Sequence, residues 1–343
     1  MIKDNLFQNF YFGWWRKIDK TILFLILLLF ILGLFFSLVS TSLVASDRLN
    51  TNNYLFFFKH LVFISLGLGI LFFLSYLNSE KLFILSKFLF FICLISLVLV
   101  PFIGVEVKGS KRWLDFLFLP RFQPIELLKP FIIVMIASIL SSKNKNNLYL
   151  KYFLSFLLIL PIIILLISQP DIGQTILIFF TWLALIFVSG INLFLFFAFF
   201  GFMISIILYL IFFVSKFEYI LIRINSFFDP SSGNNYQSEK ASEAIINGGF
   251  FGKGIGEGVL KNKVPEAHTD YIVSVISEEF GVVMIFLLLV IFLFFIYHIF
   301  KKLYFINDNK VKLIIVGSSV IILFQFLIHI GVNIRMFPTT GMT

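Results

Sequence analysis

Long apolar runs, repeated from one end of the chain to the other, constrain this sequence more than any motif does. After an aromatic and basic lead-in at residues 1–20, such runs fall at about 21–45, 54–77, 82–104, 123–141, 150–168, 171–190, 192–215, 271–300 and 311–334. Each supplies the roughly 20 residues that an α-helix needs to cross a bilayer. Only helices and closed barrels can span lipid, because every backbone N–H and C=O must find a partner within the protein. The expected fold class is all-α: a polytopic integral membrane protein with nine transmembrane helices, forming a single domain over residues 1–343. The first run is too long for the apolar core of a signal peptide, so it reads as an uncleaved span.

Composition narrows the function classes. The 343 residues are 60% hydrophobic and 13% charged, with a mean hydropathy of +1.03, more apolar than a soluble core requires. The 50 phenylalanines, alongside abundant Lys, Asn and Ile, read as a coding bias rather than a Phe-specific function. One cysteine, Cys93, lies inside an apolar run, which excludes a disulfide framework and a Cys-based metal site. The net charge of +9 points to topology rather than nucleic acid, since Lys and Arg mark cytoplasmic links. If the spans alternate, Lys3, Arg16, Lys17 and Lys20 share a cytoplasmic side with Lys143, Lys145 and Lys151, and with Lys301, Lys302, Lys310 and Lys312. The links at 105–122 and 216–270 then lie outside, the latter as one large extracytoplasmic loop between helices 7 and 8. Lys108, Lys111, Arg112 and Arg121 are on the wrong side for that rule. They suggest an anionic ligand beside the membrane, against the plainer reading that short outer links tolerate a few cations.

The densest polar stretch is Val264-Pro265-Glu266-Ala267-His268-Thr269-Asp270-Tyr271. Pro265 is expected to stiffen the approach and Thr269 to cap the helix that follows. Helical spacing from Asp270 leads through Ser274, Ser277, Glu278 and Gly281, a narrow polar face that must turn away from lipid. The fourth span opens with Arg121, Gln123, Pro124, Glu126 and Lys129; Pro124 suits the first turn, and Glu126 can pair with Lys129 three residues on. The sixth opens Gln169-Pro170-Asp171-Ile172-Gly173-Gln174, with Pro170 again expected in the first turn and an acid at the helix N-terminus. The ninth carries Gln325, His329 and Asn333 on one stripe. Polar groups from four helices at one depth make a candidate site; the competing reading is a set of caps and ion pairs that only holds the bundle. The glycines from Gly248 to Gly258 fit neither a dinucleotide fingerprint nor a P-loop and read as a flexible or close-packed turn region. His268 has no second His or Cys at ligand spacing, so zinc is not expected.

Lys108-Gly109-Ser110-Lys111-Arg112-Trp113-Leu114, Gln123-Pro124-Ile125-Glu126, Gln169-Pro170-Asp171-Ile172-Gly173, Pro265-Glu266-Ala267-His268-Thr269-Asp270, and Asn333 with Pro338-Thr339 together resemble the SEDS family. The resemblance runs in order along nearly the whole chain. The Val107-Lys108-Gly109 lead and the segments at 1–20 and 46–60 resemble the division branch, of alphaproteobacterial type, more than the elongation branch. The resemblance implies a glycosyltransferase that polymerises lipid II at the periplasmic face of the inner membrane, at the septum. It implies Asp270 as the catalytic residue and Lys129 as its cavity partner. Lys111, Arg112, Trp113, Arg121, Gln123, Glu126, Asp171, Glu266, His268 and Asn333 complete the expected substrate-binding set. Cations would receive the leaving pyrophosphate, with or without a divalent ion such as Mg or Mn. The implied partners are a class B penicillin-binding protein transpeptidase and the division activator complex. Ile125 and Thr340 depart from the family pattern, and the family continues into a tenth span where this chain stops at Thr343. Rival readings are a lipid II flippase and a non-catalytic division scaffold.

Overall fold

The structure, a computed structural model, describes residues 13–41, 55–107, 110–116, 119–142, 147–214, 217–228, 236–259, 267 and 269–338. The elements are α1 (Lys20–Thr41), α2 (Leu55–Tyr76), α3 (Ser79–Ile103), β1 (Val105–Val107), β2 (Ser110–Phe116), β3 (Leu119–Phe122), α4 (Pro124–Leu140), α5 (Leu148–Ser168), α6 (Ile172–Val188), α7 (Leu193–Phe213), α8 (Glu218–Phe228), α9 (Tyr236–Gly248), α10 (Ile272–Phe280), α11 (Val282–Leu303) and α12 (Asn309–Asn333). Every apolar run is helical over most of its described residues. Among the described residues, seven helices (α1, α2, α3, α5, α7, α11 and α12) are long and apolar enough to cross a membrane. The chain is a multi-pass membrane protein. The fourth and sixth runs give helices of 17 residues each, shorter than the nine-span reading expects.

Three further expectations change. The run at 271–300 is two helices, because Gly281 adopts φ +82° between α10 and α11. Residues 105–122 hold a three-stranded antiparallel sheet in the order β1-β2-β3. Period-two alternation in β2 turns Arg112 and Leu114 inward, a signal too short to stand out beside the spans. The segment 216–270 carries α8 and α9, whose low hydropathy hid them from a search for spans.

The chain divides into two compact units. Unit 1 comprises residues 1–82 and 243–301, and unit 2 comprises 83–242 and 302–343. In unit 2, α6 packs on α12, α5 and α4. Lipid tails are as apolar as the helices, so close van der Waals fit holds such a bundle rather than escape from water. Gly317 permits that fit: a Cβ there would lie 2.6 Å from Ile133 and 3.1 Å from Leu185. Trp182 of α6 is fully buried, and its indole N–H donates to Ser155 Oγ at 3.1 Å. In unit 1, α1 lies along α2 and touches α10, where Phe35 and Phe36 meet Phe280 edge to face or tilted.

Candidate functional site

One end of unit 2 is built from the start of α4, the start of α6 and the C-terminal half of α12. Pro124 occupies the first turn of α4, which puts Glu126 and Lys129 on the face toward α6 and α12. Lys129 Nζ donates to Glu126 Oε2 at 2.8 Å and to Gln325 Oε1 at 3.1 Å. Glu126 Oε1 accepts from Gln174 Nε2 at 2.5 Å. Lys129 is only 5% exposed, and a buried ammonium without such partners would be strongly disfavoured.

The same end continues into the corner between α5 and α6. Asp171 caps α6, its Oδ1 accepting from the Gln174 N–H at 3.4 Å. Pro170 therefore precedes the cap and is not in the first helical turn. Asp171 Oδ2 accepts from Gln123 Nε2 at 2.8 Å, and Arg112 Nη1 stands 4.0 Å from Oδ1. The Arg112 guanidinium also donates to the Gln169 carbonyl at 3.2 Å and to that of Pro170. Gln169 in turn donates to the Leu97 carbonyl at 3.2 Å. The result is a chain of polar groups from β2 to α12 in which Gln174 joins the two halves, its backbone on Asp171 and its side chain on Glu126. Asn333 is buried on α12, with Nδ2 donating to the His329 carbonyl at 2.9 Å.

The other two cations of the sheet, Lys111 and Arg121, are exposed. Arg121 of β3 pairs with Asp115 at 3.0 Å, both about half exposed. Trp113, between Lys111 and Asp115 in β2, is half-buried.

Asp270 belongs to unit 1. It lies in the turn before α10 and is partly buried. Thr269 does not cap α10; Tyr271 occupies that position without a side-chain cap, and the Ile272 N–H reaches the Thr269 carbonyl at 3.4 Å. Burial, and then the Asp270 carboxylate beside it, push the Tyr271 phenol up to about 12, so Tyr271 stays neutral and cannot serve as a base near pH 7. The polar face that follows is buried: Ser274, Ser277, Glu278 and Glu279 have almost no exposed surface. Glu266 and His268 lie outside the described residues.

A glycine-rich segment holds the break after α10. The Lys253 and Gly254 N–H groups donate to the carbonyls of Glu278 and Glu279 at 2.9 and 3.0 Å, closing the end of α10. The Val282 and Val283 N–H groups at the start of α11 donate to the Gly249 and Phe250 carbonyls at 3.0 and 3.2 Å. Orphan groups of two helix ends are thus satisfied by one loop. The approach demands glycine: a Cβ on Gly248 would lie 2.0 Å from the Ser277 oxygen, and one on Gly281 2.1 Å from that of Phe250. Close packing is observed at Gly248 and Gly252, whereas Gly249 and Gly256 have nothing within 4 Å of a Cβ and take positive φ instead.

The family model described as "Cell cycle protein", covering FtsW, RodA and SpoVE, matches residues 19–343. The chain belongs to the SEDS family. Among SEDS relatives, the probable peptidoglycan glycosyltransferase FtsW of Caulobacter vibrioides is 31% identical over 96% of this chain and 84% of its own. The protein of the same name in Coxiella burnetii is 33% identical over 95% and 89%. Among solved structures, a chain from work on the structural coordination of polymerization and crosslinking by a peptidoglycan synthase complex aligns with a TM-score of 0.76. It is 25% identical and covers 95% of this chain and 90% of that one. The rod shape determining protein RodA of Thermus thermophilus aligns with a TM-score of 0.67 at 25% identity, covering 96% and 89%.

Sequence reasoning placed Gln174 and Gln325 on the right stripes without assigning them roles. Their signal was a glutamine facing a predicted ion pair on another helix, which only the helix pairing could reveal. Among the described residues, no three His, Cys, Asp or Glu side chains gather to hold a metal.

Proposed function

We propose that this chain is a peptidoglycan glycosyltransferase of the division branch, polymerising lipid II at the periplasmic face of the inner membrane, at the septum. The observation that carries the reading is Asp270. In a chain of the SEDS family, it is a carboxylate held part-exposed at a turn, ahead of a buried polar helix and next to a tyrosine that stays neutral. A partly desolvated carboxylate is suited to take a proton from an acceptor sugar hydroxyl, help worth about 10²–10⁴ in rate. The freed oxygen attacks C1 of the donor sugar on the face opposite the phosphate. The C1–O bond breaks, the lipid pyrophosphate leaves with the electron pair, and the anomeric centre inverts. Lys111 and Arg121, the exposed cations of the sheet, are the candidates to receive the leaving charge.

The test is polymerisation of lipid II by purified protein. Asp270→Asn abolishes product while the melting temperature holds. Polymer formed by this variant at the wild-type rate would overturn the base assignment. Movement of labelled lipid II between leaflets without polymer would replace the reading with a flippase. The peptidoglycan synthase complex among the structural relatives supports a partner protein; the partner proposed is a class B penicillin-binding protein transpeptidase, and the proposed regulator of the pair is the division activator complex.

A further inference from the structure

The end of unit 2 away from the polar chain carries the starts of α3 and α12. Phe83 and Lys87 are four residues apart on α3 and so share one face. Lys310, in the first turn of α12, places its Nζ 3.4 Å from the centre of the Phe83 ring. The Lys87 ammonium lies near enough to act on it as a like charge. Two helices thus bring two ammonium groups together. Asp308 offsets part of that charge, and it also caps α12, its Oδ1 accepting from the Lys310 N–H at 2.8 Å. Lys87 is exposed, and among the described residues it has no acid partner.

The surroundings are those of a bilayer border. At 25 residues, α3 is about 37 Å long against a hydrocarbon core of about 30 Å, so its first turn reaches headgroup level. The long Lys87 stem brings its ammonium to the same level. Tyr304 and Phe305, exposed in the link before α12, are an aromatic pair of the kind that settles at this depth. On α3, Ile84, Phe88, Phe91 and Ile95 are exposed on one stripe beside Lys87, a track for an acyl chain. Basic groups between membrane helices attract anionic headgroups. Two like charges held side by side repel, and a phosphate between them removes that cost. Stacking on Phe83 keeps Lys310 in place, so less side-chain freedom is lost on binding. We infer that Lys87 and Lys310 form a site for the phosphate of an anionic phospholipid whose acyl chain lies along α3. Such a site is independent of the polar chain and of the glycosyltransferase reading.

The experiment is native mass spectrometry of the full chain in detergent, titrated with phosphatidylglycerol or phosphatidylcholine. One phosphatidylglycerol is expected to stay bound under conditions that strip phosphatidylcholine. Lys87→Gln and Lys310→Gln should each weaken that adduct about fivefold, the loss of one lysine charge near a lipid surface. Phe83→Leu should weaken it less, because Lys310 keeps its charge and loses only its seat. Lys87→Arg and Lys310→Arg should retain the adduct, which separates lost charge from a damaged fold. Lys312→Gln removes a charge two residues from Lys310, on another face of α12, and should leave the adduct unchanged. Equal weakening by Lys312→Gln, an adduct indifferent to both Lys87→Gln and Lys310→Gln, or phosphatidylcholine held as tightly overturns the site. Inorganic phosphate that displaces the lipid at equal concentration would make the ligand a soluble anion and overturn the lipid assignment.

Discussion

Two regions of this chain hold carboxylates away from water, and they do it in different ways. In unit 2 the acids are locked between donors: Glu126 between Lys129 and Gln174, Asp171 between Gln123, the Gln174 backbone and Arg112. In unit 1 Asp270 stands at a turn, partly exposed, ahead of a helix whose end is fastened by backbone bonds from a glycine-rich segment. A carboxylate whose oxygens are already engaged by side-chain and backbone donors is committed to holding the helices that carry those donors. The contrast supports an architectural role for the first region and the proposed proton transfer at Asp270 for the second. The sharpest way to break it is to neutralise one acid from each. Asp270→Asn should lower the polymerisation rate by about 10²–10⁴ with little change in melting temperature. Asp171→Asn should show its effect first as a lower melting temperature. The reverse pattern in a paired activity and thermal-denaturation assay would exchange the two roles.

The fastening of α10 to α11 gives the next largest effect. At Gly281 a side chain would meet both an unfavourable φ of +82° and a backbone oxygen 2.1 Å away. Strain and overlap together put Gly281→Ala at a loss of about 3 kcal/mol or more. Gly67 of α2, also in unit 1, has nothing within 4 Å of a Cβ, so Gly67→Ala should be close to neutral. Denaturation of the two variants side by side checks the claim: equal effects would mean that the glycine-rich segment is not what holds this region.

Within unit 2, removing one member of the locked chain tests whether the lock is real. Lys129→Met leaves Glu126 facing a vacated position and should cost about 2–4 kcal/mol, less than a fully buried pair because Glu126 keeps some solvent. Lys129→Met combined with Glu126→Gln should cost less than the sum of the single changes, the signature of a direct coupling. Additive losses in thermal denaturation would reduce the chain to independent contacts.

The sequence made much of this legible, for identifiable reasons. Spans were readable because twenty apolar residues in a row have few alternatives. The Glu126–Lys129 pair was readable because i,i+3 spacing on a helix fixes adjacency without knowledge of the fold. The links Gln174–Glu126 and Lys129–Gln325 were not, since they depend on which helices pack together across long separations. The break at Gly281 was hidden for a related reason: a glycine inside an apolar run is tolerated in membrane helices, and only the loop that returns from Gly248–Gly254 makes it a hinge between two helices. The sheet at 105–122 was obscured because its strands are short and half of their residues are polar.

Arg112 and Arg121 extend the comparison to the sheet itself, and to the smallest effect expected. Alternation in β2 turns Arg112 inward, where its donors serve the α5–α6 corner. Arg121 on β3 stays outside with Asp115, each about half exposed. Exposed pairs of this kind contribute about 0–1 kcal/mol, so Arg121→Gln should barely move the melting temperature. If Arg121 serves the leaving phosphate, the same change should raise the apparent KM for lipid II a few fold and flatten its dependence on ionic strength, since one exposed cation is lost from the field that the substrate meets. Asp115→Asn supplies the opposing arm. Freed from its partner, Arg121 should bind phosphate better, and KM should fall at low salt. A KM indifferent to both substitutions would confine the pair to the sheet surface and leave Lys111 as the outward cation to test.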